Sequence, residues 1–218
     1  EYFCENIYNL EIQAIQEVRG CISELQSGKT AAYEQLMYAL LLSGLAMQMI
    51  GNSRPASGAE HHISHLIEME VVNPHVDAYH GEKVGVGLLI AASVYHRMAK
   101  ALKAGQFSLK TYAGLEMDLL QKSFVKEEMY AEMIAENTPD PLAQITDATL
   151  LEKAGKIADI LQEIPSYEEL SGCLQQAHCP RTLQDIGLQE SLLPTLLDLS
   201  PYVRNRLTFM RLKKRFSF

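Results

Sequence analysis

Apolar residues recur at spacings of three and four along nearly the whole chain, and runs of alternating apolar and polar residues are almost absent. Spacings of three and four place side chains on one face of an α-helix, whereas alternation is typical of a strand. The pattern therefore predicts an all-α fold. Helices are predicted near residues 5–26, 30–50, 57–70, 80–104, 108–120, 124–137, 148–163, 166–176, 181–186, 188–198 and 201–213.

Hydroxyl side chains that can cap a helix mark several of the predicted starts, and glycine or proline marks the ends. The starts are Thr30, Ser57, Ser108, Thr149 and Ser166, and the breaks are Gly28, Gly51, Pro74, Gly105 and the "NTPDP" turn at 137–141. Neither a repeat nor a firm domain boundary is visible. Residues 1–218 are therefore predicted to form one all-helical domain.

Composition and charge narrow the possible functions. The chain has 218 residues, of which 47% are apolar and 21% charged, as in ordinary globular proteins. Its net charge of −8 argues against nucleic acid as a partner, and the basic "RLKKRF" at 211–216 is expected to be a solvated tail. The apolar run at 36–50 is short for a bilayer, so it predicts a buried core helix and no membrane span.

Cysteine usage indicates a reducing compartment. Cys4, Cys21, Cys173 and Cys179 form no C-x-x-C pair, which favours free thiols and a cytoplasmic location. Cys173 and Cys179 could in principle bind zinc together with His178, but their spacing is not that of a usual zinc finger.

The segment "SRPASGAEHHISHLIEME" at 53–70 carries three histidines at a predicted helix start. The S-x-x-E pattern that begins at Ser57 is a capping box, which would fix that start. His61 and His65 are four residues apart and share one helix face, whereas His62 is rotated by about 100°. Such a pair either belongs to a metal site or simply lies on the polar face of an amphipathic helix.

A second segment, "YHGEKVGVGLL" at 79–89, places His80 at another predicted helix start. Gly81, Gly85 and Gly87 remove side-chain bulk, so another helix or a ligand is expected to approach this backbone closely. A histidine from this second helix could complete a metal site with His61.

Zinc, nickel and iron(II) accept neutral imidazoles together with a carboxylate. No carboxylate of the chain stands out as this further ligand. Glu60 belongs to the predicted cap, and Glu68 is expected to lie too far along the helix. Spacing alone therefore leaves the ligand set incomplete.

Four segments together resemble a known superfamily: "GNSRPASGAEHHISHLIEM" at 51–69, "YHGEKVGVG" at 79–87, "PRTLQDIGL" at 180–188 and "PYVRNRLTFMRL" at 201–212. They resemble the metal-dependent polyol dehydrogenases, which include iron-type alcohol dehydrogenases and dehydroquinate synthase, and above all the bacterial sn-glycerol-1-phosphate dehydrogenases. The resemblance implies a dehydroquinate synthase-like helical domain, the C-terminal half of a two-domain dehydrogenase. The NAD(P)-binding N-terminal domain is absent, so no cofactor-binding residue is expected in this chain.

The resemblance also implies roles for particular residues. His61 and His80 correspond to ligands of a divalent metal (zinc, nickel or iron), with His62 as the alternative to His61 because the adjacent pair allows a slip of one residue. His65 corresponds to the histidine that contacts substrate and takes part in catalysis, and Arg54 is a candidate contact for a phosphate. The family's remaining metal ligand is an aspartate, expected just upstream of residue 1.

The implied reaction is the NAD(P)H-dependent reduction of dihydroxyacetone phosphate to glycerol 1-phosphate, with the metal polarising the carbonyl. A homo-oligomer is expected. Two alternatives remain: another activity of the superfamily, such as that of dehydroquinate synthase or another polyol or alcohol dehydrogenase, or a non-catalytic helical module. The residues "SRPASGAEHH" argue against the synthase.

Overall fold

The computed structural model describes residues 3–218, and this part of the chain is mainly helical. Short 3-10 helices and one pair of two-residue strands, β1 (Ser108–Leu109) and β2 (Phe216–Ser217), complete it. The α-helices are α1 (Glu5–Leu25), α2 (Thr30–Ile50), α3 (Ala59–Glu68), α4 (His80–Lys103), α5 (Met117–Ser123), α6 (Glu127–Glu136), α7 (Asp147–Gln162), α8 (Tyr167–Gln176), α9 (Leu193–Leu199) and α10 (Phe209–Leu212).

The predicted all-α class is confirmed, but several of the predicted helices are wrong in part. The predicted helix at 181–186 is only a short 3-10 helix, Gln184–Ile186. Ser108 does not start a helix; it pairs with Ser217 in the antiparallel β1–β2 ladder, and α5 begins only at Met117. The predicted helix at 201–213 is likewise broken, and only α10 is an α-helix there. Local periodicity does not report the ladder at Ser108, because the ladder joins segments about half the chain apart.

The described residues up to Gly58 and Ser171–Cys179 form one compact unit. Its helices α1 and α2 pack through residues that repeat every seven positions, and most of these residues are small. They are Ile7, Ala14 and Cys21 on α1 and Ala32, Ala39 and Ala46 on α2. A spacing of seven returns to the same face of a helix after two turns, so the small side chains form one continuous contact stripe.

The prediction of a buried core helix at 36–50 is wrong. The alanine stripe covers only one face of α2, and large apolar side chains on the others are exposed: Met37, Leu40, Leu41, Leu45 and Met49. Within residues 3–218, no helix combines the length and the apolar character that crossing a bilayer would require.

Residues Ala59–Leu170 and Pro180–Phe218 form the second compact unit. Helix α4 contributes to both of its apolar clusters. Val86 and Val94 pack in the cluster that contains the apolar face of α3, and Met98 and Leu102 pack in the cluster that contains α7. Helix α4 therefore joins the two clusters and packs against α3 through its first half.

The basic segment at 211–216 is not a solvated tail. Arg211 is fully buried, with its Nη2 atom 3.1 Å from Asp140 Oδ1 and its Nη1 atom donating to the carbonyl of Pro201. Arg215 is also buried and forms an ion pair with Asp147. Arg211 and Arg215 therefore bind the loop before α7 and the first residue of α7. The local sequence does not reveal these contacts.

Candidate metal centre

Close packing of α3 against α4 sets the position of the histidines. Gly87 makes the approach possible, because a Cβ atom there would lie only 2.6 Å from the Glu60 carbonyl oxygen. The close approach predicted at this glycine is therefore contact with another helix. At Gly81, by contrast, an added Cβ would meet no described atom within 4 Å.

The two helix starts carry the histidines. Helix α3 begins at Ala59, two residues later than predicted, and Glu60 Oε1 lies 2.8 Å from His61 Nδ1. Helix α4 begins at His80 itself, where the Tyr79 backbone N–H donates to Glu82 Oε2 over 2.7 Å. This bond satisfies one of the free N–H groups at the start of α4 and fixes the backbone on which His80 is mounted.

Three imidazole rings converge at this point. The ring centroids of His61 and His80 are 5.5 Å apart, those of His65 and His80 are 5.4 Å apart, and those of His61 and His65 are 6.1 Å apart. All three side chains are partly exposed to solvent. The structure thus brings together the three histidines singled out in the sequence, while their individual roles stay predictions.

Glu68 also belongs to this cluster, contrary to the expectation that it lies too far along α3. Its Oε1 atom is 2.8 Å from His80 Nδ1, and its Oε2 atom is 3.1 Å from His65 Nδ1. Potential ligand atoms of His65, Glu68 and His80 all lie within 4.8 Å of one another. The i,i+3 spacing from His65 was the signal for this neighbour, since such residues are adjacent on a helix surface.

The carboxylate of Glu68 is held in its charged form. Burial by itself would raise the pKa of Glu68, but the hydrogen bonds from His80 and His65 outweigh it, so the pKa is lowered. The ammonium group of Lys83 lies 3.9 Å from Glu68 Oε1 and adds a positive charge on the same side.

His62 lies apart from this group. Its side chain is only 1% exposed, and neither ring nitrogen has a hydrogen-bond partner among the described residues. Burial, with a smaller effect of Arg206, lowers the pKa of His62 to about 4. The imidazole is therefore neutral at pH 7. The helix places it on the buried side of α3, which favours His61 over His62 as the histidine of the cluster.

The other candidate residues lie elsewhere. Arg54 starts a short 3-10 helix in the first compact unit, where its backbone N–H donates to Asn52 Oδ1. Its predicted contact with phosphate stays a prediction. All four cysteines are free thiols. Across residues 3–218, the group His65, Glu68 and His80 is the one set of three whose ligand atoms meet, so Cys173, His178 and Cys179 do not form a metal site.

The chemistry of these donors fits a divalent transition metal. Imidazole nitrogens together with a carboxylate suit zinc, nickel or iron, and partial exposure leaves room for further ligands. The fold and this cluster define a helical domain with a candidate metal centre where the start of α4 meets the last turn of α3.

Similar proteins connect this class to one enzyme family, although no family model matches the chain. A glycerol-1-phosphate dehydrogenase [NAD(P)+] of Geobacillus thermodenitrificans is 39% identical over 99 residues, which are 45% of this chain and 24% of the relative. The dehydrogenase of the same name from Pyrococcus horikoshii is 37% identical over 95 residues, 44% of this chain and 27% of the relative. That from Bacillus subtilis is 45% identical over 74 residues, 34% of this chain and 19% of the relative.

These relatives confirm the resemblance that the motifs indicated: the matched part of the chain is homologous to glycerol-1-phosphate dehydrogenases. The match spans about a quarter of the length of the relatives.

Proposed function

We propose that the chain is the metal- and substrate-binding part of an NAD(P)-dependent glycerol-1-phosphate dehydrogenase. The observation that carries the proposal is the convergence of His61, His65 and His80 from two segments that resemble motifs of this family. The substrate would be dihydroxyacetone phosphate, reduced to glycerol 1-phosphate. The names of the relatives support both the phosphorylated product and the use of NAD(P).

In this proposal, His61 and His80 hold a divalent ion through their imidazole nitrogens. The bound ion supplies Lewis-acid polarisation of the substrate carbonyl. His65 lies beside both rings and is partly exposed, so it would orient a substrate hydroxyl or relay a proton to the alkoxide that forms on reduction. Arg54 is proposed as a contact for the phosphate.

Zinc titration of the chain tests the metal site. The affinity is expected to be weak without the upstream aspartate, and His61→Ala and His80→Ala are each expected to abolish binding, because each removes a ligand. His65→Ala is expected to retain most of the affinity and, in the complete dehydrogenase, to impair turnover more than metal content. His75→Ala is the matched control, since His75 is well exposed and pairs with Glu70 outside the cluster.

Two results would contradict the proposal. Zinc affinity that is unchanged in His61→Ala and His80→Ala would show that these residues are not ligands. A wild-type chain that binds neither zinc, nickel nor iron would favour the non-catalytic helical module.

A homo-oligomeric state and a cytoplasmic location remain part of the proposal.

A further inference from the structure

The carboxylate of Glu68 divides its two oxygens between two imidazoles. Oε1 faces His80 Nδ1 at 2.8 Å, and Oε2 faces His65 Nδ1 at 3.1 Å. The Ser64 hydroxyl lies 3.5 Å from Oε1 as a weaker donor. Both oxygens of Glu68 therefore already face ring nitrogens of the protein.

A neutral imidazole carries one proton, and its partner decides which nitrogen holds it. A carboxylate beside Nδ1 favours the tautomer with the proton on Nδ1, which leaves the Nε2 lone pair free. In metalloproteins, a ligating histidine commonly donates its other N–H to a carboxylate in this way. Glu68 stands in this relation to His80 and, over a longer distance, to His65.

We propose that Glu68 is a positioning residue of the metal centre, which fixes the tautomer and the ring orientation of His80 so that its Nε2 atom faces the ion. The role of Glu68 at a metal ion rests on the proposed function, whereas the tautomer of His80 does not.

The surroundings of Glu68 support this role. Lys83 is largely buried, and its ammonium group lies 3.9 Å from Glu68 Oε1, where it offsets the negative charge. A carboxylate that keeps this cation and two imidazole donors is already coordinated by protein groups. It is therefore suited to orienting His80 more than to direct coordination of a metal ion.

The tautomer is measured in the metal-free chain by nitrogen NMR of labelled histidine at a pH where the rings are neutral. His80 is expected to carry its proton on Nδ1 in the wild type and to shift towards the Nε2–H form in Glu68→Ala. Glu68→Gln is expected to keep the wild-type tautomer, because its amide oxygen still accepts an N–H. Glu132→Gln, an exposed residue on α6, is the control for the loss of charge.

Zinc affinity, measured by competition with a chelating dye, is the second readout. Glu68→Ala is expected to weaken binding by about 10–100-fold, the usual effect of losing an outer-sphere partner, and Glu68→Gln by clearly less. The absorption spectrum of bound Co²⁺ is expected to keep its shape in Glu68→Gln, because the ligand set is unchanged.

Three outcomes would overturn the inference. One is a wild-type His80 with its proton on Nε2 in the metal-free chain. Another is Glu68→Gln weakening zinc binding as much as Glu68→Ala with an altered Co²⁺ spectrum, which would make Glu68 a direct ligand. The third is wild-type tautomer and affinity in Glu68→Ala. If the wild type binds no metal, the proposed function fails, while the tautomer measurement still decides the role of Glu68.

Discussion

His62 is buried, whereas the three clustered histidines are partly exposed. Its immediate neighbour in the sequence, His61, lies in the cluster, yet His62 is 1% exposed and its ring nitrogens have no partner among residues 3–218. A buried polar group without a hydrogen bond costs free energy, which makes this residue a destabilising element at neutral pH and more so in acid.

Replacing His62 by leucine is expected to make stability less dependent on pH. The folded-state pKa of His62 is about 4, below its ordinary value of 6.5, so the unfolded chain binds more protons between these values. Stability is therefore lost as the pH falls through this window, by about 2 kcal/mol from this residue at pH 5. Urea unfolding at pH 7 and pH 5 measures the difference between wild type and His62→Leu.

Two further results define this test. His62→Leu is also expected to stabilise the chain at pH 7 by about 1 kcal/mol, since it removes an unsatisfied buried group. The control is His75→Leu, at a side chain that is 76% exposed, which shows what the loss of a surface histidine does by itself. Equal loss of stability in wild type and His62→Leu between pH 7 and pH 5 would refute the burial of a neutral His62.

At the scale of elements, the close contact between α3 and α4 depends on the absence of a side chain at Gly87. Gly87→Ala is expected to destabilise the chain by about 1–3 kcal/mol, because its Cβ would overlap the Glu60 carbonyl and force the helices apart. Zinc affinity is expected to fall with it, since the spacing of His61 and His80 depends on this contact. Thermal unfolding and zinc titration measure the two effects.

Gly155→Ala is the matched control for that change. Gly155 lies within α7, where an added Cβ meets no described atom within 4 Å, so alanine is expected to stabilise the helix by about 0.5–1 kcal/mol. Stabilisation by Gly87→Ala as well would mean that α3 and α4 do not approach as closely as the structure shows.

Helix α2 leads to a prediction about association. Its exposed apolar face is larger than isolated surface residues would produce, and such faces commonly mark interaction sites. The double variant Leu41→Gln with Leu45→Gln is expected to lower self-association of the chain, measured by sedimentation velocity. Leu151→Gln is the control, because Leu151 is similarly exposed on α7, at 58% against 65% for Leu41. No change in the double variant would exclude this face as a contact between copies.

At the scale of the whole molecule, the proposed function makes the described residues one wall of a dehydrogenase active site. A dinucleotide is usually held at a glycine-rich turn between a parallel strand and a helix, and residues 3–218 contain only the antiparallel β1–β2 pair. The 218-residue chain is therefore expected to bind no NADH and to show no reduction of dihydroxyacetone phosphate. A saturable change in NADH fluorescence on titration with the chain would contradict this.

The sequence by itself determined the helical class, the start of α4 at His80 and the shared face of His61 and His65, because these features depend on helical periodicity and on capping within a few residues. It also carried the motifs that relate the matched part to glycerol-1-phosphate dehydrogenases. The capping residue Ser166 was predicted correctly, since its hydroxyl accepts from the Glu169 N–H at the start of α8. The predicted start at Thr149 was wrong, because the Thr146 hydroxyl caps α7 by accepting from the Thr149 N–H.

The tertiary structure decided what depends on contacts between distant segments. The chain turns back between α3 and α4, which brings His80 beside Glu68, twelve residues earlier in the sequence. Glu68 at the end of α3 thereby contacts two imidazoles, those of His80 and His65. The β1–β2 ladder and the burial of Arg211 have the same origin. Residue spacing fixes which side chains share a helix face, but the packing of one helix on another decides what that face meets.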